Sequence, residues 1–108
     1  MAERRVVVTG IGTINPLGKS VEEFFTNLKA GVSAAAPITY FDTEKFKTKF
    51  ACEIKDYDPS EYFDRKEARR YDLFTQYAII AADQAIEDAA FDFAQLDLEQ
   101  CGVISSSG

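Results

Sequence analysis

Residues 4–12, RRVVVTGIG, decide how the rest of the chain is read. The β-branched run Val6, Val7, Val8, closed by Thr9 and Gly10, predicts a strand buried on both faces, the setting of a central strand in an α/β sheet. The following stretch, INPLGK, leads to Ser20, which stands three residues ahead of Glu23 in a capping-box pattern. Val21, Phe24, Phe25 and Leu28 then recur at helical spacing, and Gly31 supplies the stop.

Working outward, residues 32–46 read as loop, with Pro37 and small alanines. Residues 47–55 alternate polar and apolar, predicting a short, half-buried strand with Phe50, Cys52 and Ile54 on the inner face. Asp58-Pro59-Ser60 marks a turn into helical territory. Residues 73–91 predict a long central helix whose apolar stripe runs through Leu73, Phe74, Tyr77, Ala78, Ile80, Ala81, Ala85 and Ala89. Its alanines suit close approach by neighbouring backbone. The chain closes on CGVISSSG, a strand that passes at once into a Ser/Gly tract. A core strand followed by such a tract is a mid-domain transition, so residues 1–108 are expected to be a partial domain cut at its C-terminal end.

The 108 residues, 46% of them hydrophobic, are enough for one ordinary domain with its own core. No apolar run is long enough to span a bilayer and the N-terminus lacks the apolar stretch of a signal peptide, so a soluble, cytoplasmic protein is expected. Cys52 and Cys101 show no CxxC spacing and predict reduced thiols in the core, not a metal site. There is no histidine. Without one, neither a Cys–His nor a Ser–His–Asp arrangement can be assembled from these residues.

Two chemical motifs fail on inspection. A dinucleotide fingerprint through Gly10 and Gly12 needs glycine at position 15, where Asn15 stands, and Pro16 removes a backbone donor, so a tight strand-to-helix turn is expected instead. Ser105, Ser106 and Ser107 could meet an anion, but half a loop defines no site. Phe24, Phe25, Phe41, Phe46, Phe50 and Phe63 are expected to pack in the core.

The remaining feature is FDRKEARRYD, residues 63–72. A chain of net charge −6 with only 12 Lys and Arg places four of them, Arg65, Lys66, Arg69 and Arg70, within six residues. On a helix they span an arc of about 140°, with Asp64 and Glu67 on the other side. Two readings stay open: a solvated face neutralised by its own acids, or a local positive patch that attracts an acidic macromolecule. Nucleic acid is a poor candidate partner, since no aromatic platform or extended basic stripe accompanies the cluster.

Taken together, RRVVVTGIGTINPLG, SVEEFFTNLKAG, FDT at residues 41–43, DRKEARRYD at 64–72, the QYAI helix start at Gln76 and the closing CGVISSSG resemble the amino-terminal quarter of the β-ketoacyl-acyl-carrier-protein synthases, nearest to type II. The resemblance covers essentially the whole chain. It implies a thiolase-like α/β fold, layered α-β-α-β-α, with a mixed sheet and a buried central helix. It also implies fatty-acid elongation through a cysteine acyl-enzyme, with two histidines assisting decarboxylation of the malonyl substrate and backbone amides holding the oxyanion. None of those groups matches a position here, and neither Cys52 nor Cys101 occupies the nucleophile's place. No catalytic residue, cofactor or metal ligand is therefore assigned, and the 108 residues alone are expected to be inactive. The cations matching Lys66, Arg69 and Arg70, with Arg65 as an outer contributor, correspond to those that dock the acidic acyl carrier protein. A homodimer is implied for the complete enzyme. Three departures stand out: Asn15 where serine is common, Ala68 in place of a polar residue, and an SSSG loop poor in glycine. The alternative is a non-catalytic α/β interaction module that recruits some acidic protein.

Overall fold

The computed structural model describes residues 2–107. It contains helix α1 (Val21–Lys29), strands β1 (Ala35–Pro37) and β2 (Phe50–Cys52), helix α2 (Arg65–Arg70) and helix α3 (Leu73–Ala89), with single 3-10 turns at Pro59–Glu61, Phe93–Gln95 and Leu98–Gln100.

Helix α1 begins and ends where the residues say it should. The Ser20 hydroxyl accepts the Glu23 backbone N–H at 3.2 Å, and the Glu23 carboxylate accepts the Lys19 N–H at 2.9 Å, so both sides of the helix start are satisfied. At the other end Gly31 takes φ +72°. The Gly31 N–H reaches Leu28 O at 3.1 Å and the Val32 N–H reaches Asn27 O at 3.0 Å, a Schellman closure. The turn before the helix also forms as expected. Asn15 and Gly18 exchange backbone hydrogen bonds of 2.9 and 3.1 Å, and the Asn15 side chain accepts the Leu17 N–H at 2.8 Å.

The strands differ from expectation in partner and in phase. Residues 35–37, read as loop, form β1 and pair antiparallel with β2 in the register Ala35 with Cys52, Ala36 with Ala51 and Pro37 with Phe50. In β2 the inner face carries Ala51, followed by Glu53, while Phe50 and Cys52 point out. Glu53 wins the inner position because it binds backbone. Its carboxylate accepts Thr39 N–H at 3.0 Å, the Thr39 hydroxyl at 2.8 Å and Tyr40 N–H at 3.3 Å, tying the exit of β1 to β2. Burial pushes the Glu53 carboxyl up, but the Thr39 hydroxyl, the two backbone donors and the charge of Lys55 outweigh it and hold the group below its ordinary range.

The valine run is the larger correction. Val6, Val7 and Val8, expected to be buried on both faces, lie in an unpaired segment and are 95%, 65% and 81% exposed. A doubly buried strand needs sheet neighbours and a layer above and below. No described residue supplies them. Likewise α3, expected to be a buried central helix, is not enclosed: only Gln76 and Ile80 along it are buried. Cys52 and Cys101, expected in the core, are free and exposed. Most of the phenylalanines are at the surface too, including Phe25, Phe41, Phe46 and Phe50.

Segment 10–13 is instead laid against α3. A Cβ on Gly10 would stand 2.2 Å from Ala85 O, and one on Gly12 would stand 2.1 Å from Ala81 O, so glycine is required for backbone to touch helix. The Ile11 N–H donates to Asp88 Oδ2 at 3.0 Å and the Thr13 N–H to Gln84 Oε1 at 3.1 Å. Successive outward N–H groups of an extended chain lie about 6.6 Å apart, and residues four apart on a helix lie about 6 Å apart. The two spacings match, so the side chains of α3 serve the segment as a second strand would. Gln84 Nε2 then binds Lys19 O at 2.7 Å, joining α3 to the entrance of α1.

The chain as a whole is open. Its radius of gyration is 17.6 Å, against about 13 Å for a compact domain of this length. Its accessible surface is 9158 Å², against about 6000 Å² for a folded monomer of this mass. The expectation of an independent hydrophobic core is not met, since Ile80 is the one buried hydrophobic residue among those described.

Candidate functional site

The four cations lie on or at the ends of α2, a helix of six residues. So short a helix has no stability of its own, and its ends must be held. Asp64 is the N-cap: its Oδ1 accepts the N–H groups of Lys66 and Glu67, both at 2.8 Å. Phe63, just before the cap, meets Tyr71, just after the last turn, edge to face at 6.0 Å. Ala68 is the half-buried residue of the helix, opposite the cations.

At the C-terminal end the last carbonyls have no partner within the helix. Gln76, in the first turns of α3, reaches back to them. Its Nε2 donates to Ala68 O at 3.0 Å and to Tyr71 O at 2.9 Å, while its Oε1 accepts the Tyr57 hydroxyl. Tyr57 is held in turn by stacking on Tyr62 at 6.0 Å and by an edge contact with Tyr77 at 5.0 Å.

Arg65, Lys66, Arg69 and Arg70 are all exposed. The hydrogen bonds of α2 among the described residues run through backbone atoms and the Asp64 carboxylate, not through the cationic tips. The face is therefore available, and the three positions Lys66, Arg69 and Arg70 predicted for docking are brought together on it. Its acids are Glu67, exposed on the same helix, and Asp64, whose carboxylate is occupied with the cap.

Chemistry beyond binding is not built here. An open cleft of about 660 Å³ lies between the segment that follows β2 and the start of α3, lined by Tyr40, Tyr57, Tyr77, Glu53 and Leu73 among others. Burial, followed by the neighbouring Tyr40, pushes the Tyr77 phenol up to about 12, and burial pushes Tyr57 up as well. Both are neutral donors near neutral pH, and Glu53 is an ionised acceptor already engaged by the Thr39 hydroxyl and the N–H groups of Thr39 and Tyr40. The hydroxyl–carboxylate pairs among the described residues, Thr39 with Glu53 and Ser60 with Asp58, serve the exit of β1 and the turn at Pro59–Glu61. Among the described residues no group of three His, Cys, Asp or Glu side chains is placed to hold a metal ion, and no helix is long and apolar enough to cross a membrane.

Residues 3–108 match the model of the beta-ketoacyl synthase N-terminal domain. Over all 108 residues the chain is 42% identical to 3-oxoacyl-[acyl-carrier-protein] synthase 2 of Vibrio harveyi and 43% identical to that of Vibrio cholerae, covering 26% of each. It thus spans about a quarter of the length of the curated relatives it matches. Among solved structures it is similar to the ishigamide ketosynthase/chain length factor, with 42% identity and a TM-score of 0.76 over 88% of this chain and 24% of that one. It is also similar to a chain of a type II polyketide synthase assembly in which an acyl-carrier protein is in complex with its ketosynthase, with 25% identity and a TM-score of 0.62 over 84% of this chain and 23% of that one. The α/β ketosynthase architecture, of the thiolase-like type, follows from these matches. Through the family match along its length, this chain belongs to the beta-ketoacyl synthase N-terminal domain family.

Proposed function

We propose that the chain is the N-terminal portion of a type II 3-oxoacyl-acyl-carrier-protein synthase, an acyltransferase of fatty-acid biosynthesis, and that the face of Lys66, Arg69 and Arg70 receives the acyl carrier protein. In the complete enzyme a cysteine thiolate attacks the acyl thioester and the carrier thiol leaves. Malonyl carrier protein then loses carbon dioxide, and the resulting carbanion attacks the enzyme-bound acyl group. The cysteine thiolate is released and the β-ketoacyl chain remains on the carrier. The residues for these steps are assigned outside the present 108, which are inactive alone. A cytoplasmic homodimer is assigned to the complete protein.

The observation that carries the docking reading is the exposure of four cations on one short helix of a chain with net charge −6. A positive ledge on an anionic body orients an acidic partner and repels it elsewhere. The relatives named 3-oxoacyl-[acyl-carrier-protein] synthase 2 and the solved complex of a ketosynthase with its carrier supply the partner class. An independent interaction module would need a core of its own, and a single buried hydrophobic residue among those described speaks against it. The test is charge reversal in the complete enzyme. Arg69→Glu with Arg70→Glu is expected to raise KM for acyl carrier protein roughly tenfold or more, relative to a small acyl thioester. An unchanged KM for the carrier removes the docking reading.

A further inference from the structure

A ledge of cations guides a partner only if its direction is fixed, and six helical residues cannot fix it themselves. The connection to α3 is a single extended residue, Tyr71, followed by Asp72, whose side chain makes no cap hydrogen bond to α3. Among the described residues, the side-chain hydrogen bonds that join the two helices come from Gln76. It is 3% exposed and sits in the apolar stripe of α3, one turn before Ile80, where a hydrocarbon would bury at no polar cost. Its amide nitrogen closes the C-terminal end of α2 at Ala68 O and Tyr71 O, and its amide oxygen is held by Tyr57 from the segment before α2. Three parts of the chain, residues 57, 68–71 and 76, are thereby locked through one side chain. The bonds are directional, so they set an angle that an apolar contact would leave loose.

We infer that Gln76, clamped by Tyr57, is a positioning residue that sets the angle of α2 and so aims the Lys66, Arg69 and Arg70 ledge at an incoming acidic carrier protein. The inference rests on the docking reading and assigns to it two uncharged residues that need not touch the partner.

The test uses the complete synthase with acyl carrier protein and a small acyl thioester as alternative substrates. Gln76→Met keeps length and loses all three hydrogen bonds; Tyr57→Phe loses one hydroxyl. KM for the carrier substrate is expected to rise about tenfold in the first and about threefold in the second. In both, kcat holds and the small thioester shows no matching rise. A merely structural role would move both substrates together or lower only the melting temperature, and either result overturns the inference, as does an unchanged KM for the carrier. If Gln76→Met does not fold, Tyr57→Phe decides by the same split. Arg69→Glu with Arg70→Glu, run in parallel, separates the two failures. If charge reversal weakens the carrier and the neutral variants do not, positioning is wrong and docking stands; if charge reversal does nothing, docking itself is wrong.

Discussion

A methyl group on Gly12 would stand 2.1 Å from the carbonyl oxygen of Ala81, closer than any van der Waals contact allows. Gly10 repeats the relationship one helical turn on, at 2.2 Å from Ala85 O. Because both clashes are with helix backbone, neither can be relieved by turning a side chain. Gly12→Ala must lift the segment and break the Thr13 bond to Gln84, so we expect a loss of about 2–4 kcal/mol. Gly31→Ala meets nothing within 4 Å but forces alanine to φ +72°, for about 1 kcal/mol. Gly102→Ala meets nothing and carries no strain, so it should stay within about 0.5 kcal/mol of the parent. Urea unfolding of the three variants checks the order, and equal losses at Gly12 and Gly102 would show that segment 10–13 does not pack on α3.

Ala90 closes α3 in the left-handed region at φ +52°, its N–H on Ile86 O and Glu87 O. A side chain there is strained, and glycine relieves it. Ala90→Gly is expected to raise stability by about 0.5–1 kcal/mol, while Ala89→Gly, one residue earlier and inside the helix, lowers it by about 1 kcal/mol. Opposite signs at adjacent alanines, read by thermal unfolding, are the expected result. A loss at both positions would place the helix end elsewhere.

The helices were legible in the sequence because their ends are written locally. Ser20, Glu23 and Gly31 name the limits of α1, whereas Asp64, read from the sequence only as an acid beside the cations, is the cap that starts α2. The strands were less so, because pairing is a long-range property. Nothing in Ala35-Ala36-Pro37 announces a strand, and the alternation in residues 47–55 gives a period without saying which phase faces inward. Glu53 reversed that phase by binding the backbone at Thr39 and Tyr40, an event that requires both segments in place. The valine run shows the same limit: β-branched residues report a buried strand only when the covering layers are present, and here Val6 is 95% exposed. Of the site, the cations were visible as a cluster and the clamp was not. Its one signal was a glutamine inside an apolar stripe, Gln76 between Leu73 and Ile80. Gln84 and Asp88 gave no signal, since polar residues toward the end of a helix read as solvated.

The Tyr77 phenol titrates near 12 in the folded protein because burial, and then Tyr40, disfavour its anion. In the unfolded chain it titrates near its ordinary 10.0. Between those values the folded state keeps a proton that the unfolded state has released, so stability falls as pH rises. The contribution is complete below pH 10 and lost by about pH 12. Urea midpoints measured across that window should decline, and Tyr77→Phe should decline less steeply. Tyr57 is shifted the same way and leaves a residual slope. Identical slopes in the parent and Tyr77→Phe would mean that the phenol is not buried against Tyr40.

Glu67 offers a test, with the opposite sign, of the docking proposed for the ledge. It is the exposed acid of α2, one residue from Lys66 and two from Arg69, and it opposes them at the range where charges on one surface still interact. Removing it should strengthen the positive patch without altering any cation. Glu67→Gln in the complete enzyme is therefore expected to lower KM for acyl carrier protein about two- to threefold at low salt, and Lys66→Gln to raise it by a similar factor. Both effects should shrink as ionic strength rises toward 1 M, where the screening length falls to about 3 Å. A patch that merely decorates the surface predicts no change from either substitution. A patch that binds through contacts specific to each side chain predicts a loss at Lys66 with no gain at Glu67 and no dependence on salt. Opposed signs that converge at high salt are the signature of a field, and a field is what a short helix of exposed cations on an anionic chain can supply.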